Sequence, residues 1–251
     1  MNHKFIFICG LHRSGTSLLD KILKEQKNIS GLKNTNAPKD EGQHIQTIYP
    51  IAKTFGGPGK FGFNKLAYLN EKSNLITTKN RKKLFEEWSK YWDIENEFLL
   101  EKSPPNIIKS LFLQKMFPES YFIMIYRHPV ATSLATKKWS KTSHKSLIEH
   151  WLTCHKQWSN DKQKLKNCLE FKYEELVENT PEILNKLSEF LNTPISNTLE
   201  VVKKDINQKY FDMWSKNRKN IFYVRNIKKA EREFESEINS FGYSFQDTYA
   251  N

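Results

Sequence analysis

Short apolar segments alternate with amphipathic helical stripes along most of the chain. Lys4–Cys9 and Tyr121–Tyr126 are almost entirely apolar, a pattern typical of strands that are covered on both faces. Two further strands are predicted at Phe98–Glu101 and Cys168–Tyr173. Because strands and helices alternate, we predict an α/β fold with three αβα layers around a central parallel sheet.

Apolar residues at helical spacing follow these strands. The predicted helices cover Leu18–Leu23, Ile107–Met116, Ile183–Leu191 and Ala230–Phe241. Residues 137–166 are predicted to form one long helix that contains Trp139, Trp151 and Trp158. We expect these indole rings to pack against the sheet, and the alternative is that one of them lines a binding pocket.

Residues 31–70 do not follow this alternation of strands and helices. They show no clear period, and four of the nine glycines of the chain lie between Gly56 and Gly62. Long connections without a periodic pattern are usually functional or disordered in compact domains. We therefore predict a loop region on the substrate side of a single domain that spans residues 1–251.

The chain is basic, since 40 Lys and Arg residues against 28 Asp and Glu residues give a formal net charge of +12. This charge favours anionic partners, namely nucleic acid, a membrane surface or a phosphorylated small molecule, although a solvated lysine-rich surface gives the same balance. Three cysteines are too few for a disulfide framework, and no run of about 18 apolar residues predicts a membrane span. We expect a cytoplasmic protein.

A glycine-rich loop joins the first predicted strand to the first predicted helix. The segment Gly10–Ser17 reads GLHRSGTS and has the glycine spacing of a Walker A phosphate-binding loop. The backbone N–H groups of such a loop and the N-terminus of the following helix together bind anions. Thr16 replaces the Walker lysine, and the cation of the loop is Arg13. The loop therefore predicts an anion site whose chemistry differs from that of a nucleoside triphosphatase.

The sequence FIFICGLHRSGTSLL around this loop resembles the 5′-phosphosulfate loop of the sulfotransferases that use 3′-phosphoadenylyl sulfate (PAPS). The resemblance implies a P-loop-like sulfotransferase fold, in which the loop holds the 5′-phosphate and the sulfuryl group of the donor. Arg13 matches the cation near the transferring group. The implied donor-binding positions are His12, Arg13, Ser14, Gly15, Thr16 and Ser17, of which His12 occupies a place often held by proline.

A second segment, YFIMIYRHPVATSLA, is similar to the 3′-phosphate motif of the same family. Arg127 matches the arginine that binds the 3′-phosphate, a task to which a planar guanidinium is suited. The family usually has a serine eight residues later, where this chain has Ala135. Thr132 lies one helical turn before that position and is the hydroxyl expected to replace the serine, whereas Ser133 is expected to point elsewhere.

Three more segments extend the resemblance and supply catalytic candidates. LEKSPPNIIKSLFLQKMFP resembles the E-K-[ST]-P segment of carbohydrate sulfotransferases, which implies that Lys102 assists the transfer. LEFKYEELVENTPEILNKLSEFL resembles a later strand–turn–helix segment of these enzymes. KDEGQH resembles the segment that carries the basic glutamate of heparan-type sulfotransferases, so Glu41 is the first candidate for the general base. His44 is the second, because imidazole titrates near neutral pH, and a loop without a catalytic role is the third interpretation.

The resemblance implies an enzyme that moves a sulfuryl group from PAPS to a hydroxyl or amine acceptor and leaves adenosine 3′,5′-bisphosphate (PAP), without a metal. The acceptor stays open among a small molecule, a glycan, a lipid and a peptide. Two other classes fit parts of the sequence: a P-loop kinase for a nucleoside or small metabolite, and a non-enzymatic nucleotide- or nucleic-acid-binding module. The missing Walker lysine argues against the kinase, and the lack of an RNA-recognition pattern argues against a nucleic-acid partner.

Overall fold

The computed structural model describes residues 3–197 and 206–248, and the strands of these ranges form one five-stranded sheet. The strands are β1 (Lys4–Cys9), β2 (Ile29–Gly31), β3 (Phe98–Lys102), β4 (Ser120–Tyr126) and β5 (Cys168–Lys172). They lie in the order β2-β3-β1-β4-β5, and each neighbouring pair is parallel. The predicted parallel sheet is confirmed, with β1 at its centre. The short edge strand β2 was not predicted from the sequence pattern.

Helices cover both faces of this sheet. Those of the described ranges are α1 (Thr16–Lys24), α2 (Thr78–Ser89), α3 (Ser110–Met116), α4 (Pro129–Lys137), α5 (His144–Asp161), α6 (Tyr173–Glu178), α7 (Thr180–Leu191), α8 (Gln208–Arg218) and α9 (Val224–Asn239). α1, α6 and α7 pack on one face, and the remaining helices pack on the other. The three αβα layers that the sequence predicts are therefore present.

The central strand β1 has apolar side chains on both faces of the sheet, and each face is covered by helices. Phe5, Phe7 and Cys9 point to one helical layer, while Ile6 and Ile8 point to the other, because successive side chains of a strand alternate. All five side chains are buried. Burial of a large apolar side chain contributes about 1.5–3 kcal/mol relative to exposure in water, so the strand that leads into the glycine loop is firmly held.

The prediction of a single helix over residues 137–166 is wrong. α4 ends at Lys137, and α5 begins at His144 after a break of six residues. The side chain of Ser143 caps α5 by accepting a hydrogen bond from a backbone N–H group of its first turn. Serine is a preferred N-cap residue, so Ser143 was the sequence signal for the break, and the apolar spacing did not reveal it.

The three tryptophans of this region differ in their environment. Trp151 and Trp158 are fully buried against the sheet, as expected. Trp139 lies in the connection between α4 and α5 and is 51% exposed. The expected packing therefore holds for two of the three rings, and the third is available to a ligand.

Residues 31–70 consist of short turns. Five 3₁₀ segments are present, at Pro38–Asp40, Gly42–His44, Ala52–Phe55, Phe61–Phe63 and Lys65–Ala67. Leu32 and Phe61 are buried in the same core as α2 to α5, which anchors the segment. A helix was predicted over Ile107–Met116, but its first residues belong to a similar 3₁₀ turn, Pro104–Ile108, and α3 begins only at Ser110. Turns of three to five residues leave no periodic apolar pattern, which is why these segments were not predicted.

Two helices, α2 and α8, were also missed. Each buries only two side chains, Leu84 and Trp88 in α2 and Tyr210 and Trp214 in α8, so neither shows a clear apolar stripe. Across residues 3–197 and 206–248, no helix combines the length and the apolar character that crossing a membrane requires.

Candidate active site

The glycine loop Gly10–Ser17 lies at the carboxyl end of the central strand, between β1 and α1. Both of its glycines have positive φ angles, 147° at Gly10 and 106° at Gly15. A Cβ atom at Gly10 would lie 2.7 Å from the carbonyl oxygen of Ile125, and a Cβ atom at Gly15 would overlap the ring of Tyr173. Both positions therefore require glycine, because the loop is pressed against β4 and α6.

The side chains of the loop divide into those that shape it and those that face solvent. Ser14 is buried, and its hydroxyl donates a hydrogen bond of 2.8 Å to the carbonyl oxygen of Leu11, which closes the turn. Arg13 and Ser17 are exposed. Gly15 is the N-cap residue of α1 and has no side chain with which to cap the helix. The first N–H groups of α1 are therefore suited to binding an anion.

Arg127 follows β4 and lies beside this loop, almost fully buried. Its Nη1 donates to the carbonyl oxygen of Arg13 at 2.8 Å, and its Nε donates to Oδ1 of Asn207 at 2.9 Å. The guanidinium lies 4.6 Å from the ring centroid of Tyr173. Its Nη2 is buried and has no hydrogen-bond partner among the described residues. A buried cationic donor of this kind is unfavourable unless an anion binds to it.

Lys102, Glu41 and His44 lie together outside the glycine loop. The Nζ of Lys102, at the end of β3, donates to Oε1 of Glu41 at 3.3 Å and to the carbonyl oxygen of Lys39 at 3.1 Å. The other carboxylate oxygen of Glu41 accepts a hydrogen bond of 2.7 Å from Gln43. The Nε2 of His44 is 3.7 Å from the same oxygen. The structure thus brings together the three catalytic candidates that were predicted outside the glycine loop.

Glu101 fixes the backbone around Gly42, and sequence reasoning missed it. Its Oε1 accepts hydrogen bonds from the N–H of Gly42 at 2.9 Å and from the hydroxyl of Ser103 at 2.5 Å. Its Oε2 accepts a hydrogen bond of 2.6 Å from Asn106. Burial raises the pKa of Glu101 to about 7. A glutamate within an apolar strand was the available signal, because carboxylates are rarely buried without specific partners.

One cleft of about 250 Å³ joins the loop to the carboxylate. The predicted residues that line it include His12, Arg13, Gly15, Thr16, Ser17, Glu41 and Arg127, together with the exposed Trp139. Lys102 and His44 do not line it. A larger cleft of about 780 Å³ lies between α5, β5 and α9, but it contains no predicted site residue. Lysines and glutamates on its walls pair with one another, as Lys162 does with Glu170, so it offers no comparable chemistry.

Two of the predicted donor-binding residues, Thr132 and His12, are not placed as simple donor ligands. Thr132 is buried, does not line the cleft, and donates its hydroxyl to the carbonyl oxygen of Arg127 at 3.3 Å. His12 lines the cleft, but its Nδ1 is buried without a partner in the described part of the chain. Burial lowers the pKa of His12 to about 3, so its imidazole is neutral at physiological pH.

The cleft therefore has anion-binding groups on one side and a carboxylate on the other. Arg127 and the N-terminus of α1 are suited to phosphate groups, and Glu41 is suited to accepting a proton. Such an arrangement fits the transfer of an anionic group to a hydroxyl or amine. Among residues 3–197 and 206–248, no group of His, Cys, Asp and Glu side chains is arranged to hold a metal ion.

Comparison with known families identifies this transfer. The model of the sulfotransferase family matches residues 6–197, which contain β1 from Ile6 onward, the strands β2 to β5 and every residue predicted for the site. The chain belongs to the sulfotransferase family. It is thus a transferase of sulfuryl groups, and the kinase alternative is not supported.

Solved structures of sulfotransferases share the fold over nearly the whole chain. The sulfotransferase domain of the olefin synthase from Synechococcus PCC 7002 is 15% identical, with a TM-score of 0.56 and coverage of 97% of this chain and 96% of that domain. A sulfotransferase from Alicyclobacillus acidocaldarius is 13% identical, with a TM-score of 0.51 and coverage of 99% and 100%. One from Mycobacterium avium is 11% identical, with a TM-score of 0.56 and coverage of 97% and 78%. No curated protein matches the chain significantly.

Proposed function

We propose that the sulfuryl donor is PAPS and that the product left in the cleft is PAP. The observation that carries this proposal is the buried Nη2 of Arg127, which lies beside an anion-binding loop and has no acceptor within residues 3–197 and 206–248. A nucleotide with phosphates at both its 5′ and 3′ positions supplies an anion to each element. A nucleoside triphosphate would instead call for the Walker lysine, and Thr16 stands at that position.

The 5′-phosphosulfate is assigned to the loop Gly10–Ser17. The N–H groups at the start of α1, the hydroxyl groups of Thr16 and Ser17, and the close approach that Gly15 permits all favour a phosphate there. The exposed guanidinium of Arg13 is assigned to the oxygen that bridges sulfur and phosphorus, where negative charge develops as the bond breaks. Ser14 closes the loop, and His12 is assigned to the donor side as a neutral imidazole.

The 3′-phosphate is assigned to Arg127. Two hydrogen bonds, to Asn207 and to the carbonyl oxygen of Arg13, hold the guanidinium in one orientation, and its remaining nitrogen, which no described residue engages, is assigned to the ligand. A prepositioned guanidinium binds phosphate with little further loss of side-chain entropy. Thr132 remains the proposed hydroxyl of this subsite, in contact with the backbone of Arg127.

Glu41 is the proposed general base. The acceptor oxygen or nitrogen attacks the sulfur, its proton passes to the carboxylate of Glu41, and the bond from sulfur to the bridging phosphate oxygen breaks, so that PAP leaves with the electron pair. Lys102 supports the ionised carboxylate at 3.3 Å. His44 is the alternative base, and it lies behind Glu41 rather than on the cleft wall.

A comparison of ligands by thermal unfolding tests the donor. PAP is expected to raise the melting temperature without magnesium, and 5′-AMP, which has no 3′-phosphate, is expected to raise it far less. A ligand at 100 times its Kd adds about 2.7 kcal/mol to the free energy of unfolding, which is readily measured. ATP with magnesium and single-stranded oligonucleotides serve as controls for the kinase and nucleic-acid alternatives. Equal shifts from PAP and 5′-AMP, or a strict need for magnesium, would contradict the proposal.

The acceptor is proposed to be a small molecule, a glycan, a lipid or a peptide that carries a hydroxyl or amine, and not a nucleic acid. Residues 31–70 are proposed as the substrate side of one domain over residues 1–251, and the position of Glu41 on the cleft supports this. The proposed compartment is the cytoplasm. All three cysteines are free thiols, which supports a reducing environment.

A further inference from the structure

Ile221, Phe222 and Tyr223 form an exposed apolar tip at the corner between α8 and α9. Ile221 is 81% exposed and Phe222 is 78% exposed. Hydrogen bonds order the corner: the N–H of Phe222 donates to Oδ1 of Asn220 at 2.9 Å, and the N–H of Val224 donates to the carbonyl oxygen of Asn220 at 2.8 Å. Large apolar side chains that an ordered corner presents together mark an interaction surface.

Positive charge surrounds this tip. Between Met213 and Ala230 the chain has six basic residues and no acidic residue. The basic residues are Lys216, Arg218, Lys219, Arg225, Lys228 and Lys229. Arg218 and Lys229 pair with glutamates of α9. The other four are exposed, and none of them forms an ion pair with a described residue.

Helix stability accounts for only part of this charge. Lys216 and Lys219 lie at the C-terminus of α8, where the helix dipole favours cations. Arg225 lies in the first turn of α9, where the same dipole disfavours a cation, and that turn contains no acidic residue. The positive charge at the start of α9 therefore calls for a partner outside the helix.

We propose that this corner, residues 213–230, docks the protein on a membrane surface that contains anionic lipids. The apolar tip enters the interface between head groups and acyl chains, and the surrounding lysine and arginine side chains bind the anionic head groups. The combination of basic residues and apolar tip favours this partner. Basic residues alone would also bind a soluble anion, and an apolar tip alone would also bind an uncharged surface. The tip also contacts the start of α5, because the rings of Tyr223 and His144 lie 5.0 Å apart.

Co-sedimentation with phosphatidylcholine vesicles, with and without phosphatidylserine, tests the docking. The protein is expected to bind the vesicles that contain phosphatidylserine, more weakly as salt is added, and to bind the neutral vesicles little. Phe222→Ser is expected to weaken binding by about tenfold, and Arg225→Glu by at least about tenfold with a smaller salt dependence. Ile94→Ser, at another exposed apolar residue that lies close before β3 and outside residues 213–230, is expected to leave binding unchanged.

The proposal is overturned if the wild-type protein binds neither kind of vesicle, binds both equally, or loses nothing in either variant. It is also overturned if the protein forms a concentration-dependent dimer without vesicles and Phe222→Ser abolishes that dimer, because a second copy would then cover the tip. The substituted side chains are exposed, so the variants are expected to unfold at the wild-type temperature. The assay needs neither donor nor acceptor, and its failure would leave the proposed sulfuryl transfer untouched.

Discussion

The two sides of the cleft are built in different ways. The side proposed for the donor consists of Gly10–Ser17 and Arg127, which directly follow the neighbouring central strands β1 and β4. The part proposed for the acceptor includes Glu41 and Trp139, which lie on irregular connections. Backbone hydrogen bonds of the sheet position the first side, whereas the second depends on individual side-chain bonds. The donor side is therefore expected to tolerate fewer backbone changes, and the acceptor side to be more easily reshaped by single substitutions.

The support beneath Glu41 illustrates this dependence. The carboxylate of Glu101 accepts a hydrogen bond from the N–H of Gly42, and the indole of Trp88 donates to the carbonyl oxygen of the same residue at 3.0 Å. These two contacts come from β3 and α2, which are more than forty residues away in the sequence. One short turn thus owes its position to two distant side chains.

The largest effect is expected for Glu41→Gln, which keeps the shape of the side chain and removes its basicity. Turnover is expected to fall by ~10³-fold, because no general base then takes the proton from the attacking hydroxyl or amine. The affinity for PAP is expected to stay unchanged. Steady-state rates and calorimetric titration with PAP measure the two quantities. His44→Ala is the matched control and is expected to be mild. The reverse pattern would assign the proton transfer to the histidine.

Substitutions on the donor side are expected to separate rate from binding. Arg13→Ala should lower turnover by about 100-fold, since it removes a charge aimed at the departing phosphate. Arg127→Ala should instead weaken PAP binding by about tenfold or more, since it removes charge-assisted hydrogen bonds from a bound anion. Rates at saturating donor and the Kd of PAP distinguish the two variants. Identical behaviour of both would mean that the loop and Arg127 do not hold different phosphates.

Of the donor-binding residues predicted from the sequence, six line the cleft and two, Ser14 and Thr132, do not. The glycine spacing and the exit of β4 at Arg127 are local signals, since each lies within a few residues of an apolar strand. The neighbourhood of Glu41 was anticipated through a resemblance, but Glu101 was not, because a contact between β3 and a turn 59 residues earlier leaves no periodic pattern in the sequence. The exposure of Trp139 was missed for a related reason, since the break before α5 is marked by a cap and not by the apolar spacing.

Trp139 provides a test of the acceptor side with a moderate expected effect. Its ring lies 5.4 Å from the guanidinium of Arg13 and is half exposed at the cleft. Trp139→Ala is expected to raise the KM for an acceptor by about two- to tenfold, the range of one aromatic contact, and to leave stability unchanged. Trp151→Ala is the matched control, because loss of that buried ring is expected to cost about 3–5 kcal/mol of stability. If the KM stays unchanged for several acceptors, Trp139 does not contribute to acceptor binding.

The smallest expected effect concerns Glu101 and appears in the pH dependence of stability. Burial raises its pKa from the ordinary 4.5 to about 7, so the folded protein holds a proton that the unfolded chain releases. Its contribution is fully present below pH 4.5 and is lost as the pH rises to about 7. His12, His150 and His155 act in the opposite sense, because burial lowers the pKa of each to about 3 and their contribution is lost as the pH falls below 6.5.

The difference between the wild type and Glu101→Gln isolates the carboxyl group from these histidines, which both proteins share. Glutamine cannot ionise, so the wild-type free energy of unfolding should fall relative to that of the variant between pH 4.5 and 7, by ~1–3 kcal/mol. Urea unfolding at a series of pH values measures this difference. If the difference in unfolding free energy is the same at every pH from 4.5 to 7, it reflects only the altered hydrogen bonds to Gly42 and Asn106. Glu101 would then already be ionised in the folded protein. A decline would instead show that the turn beneath Glu41 is held by a carboxyl group that releases its proton near neutral pH.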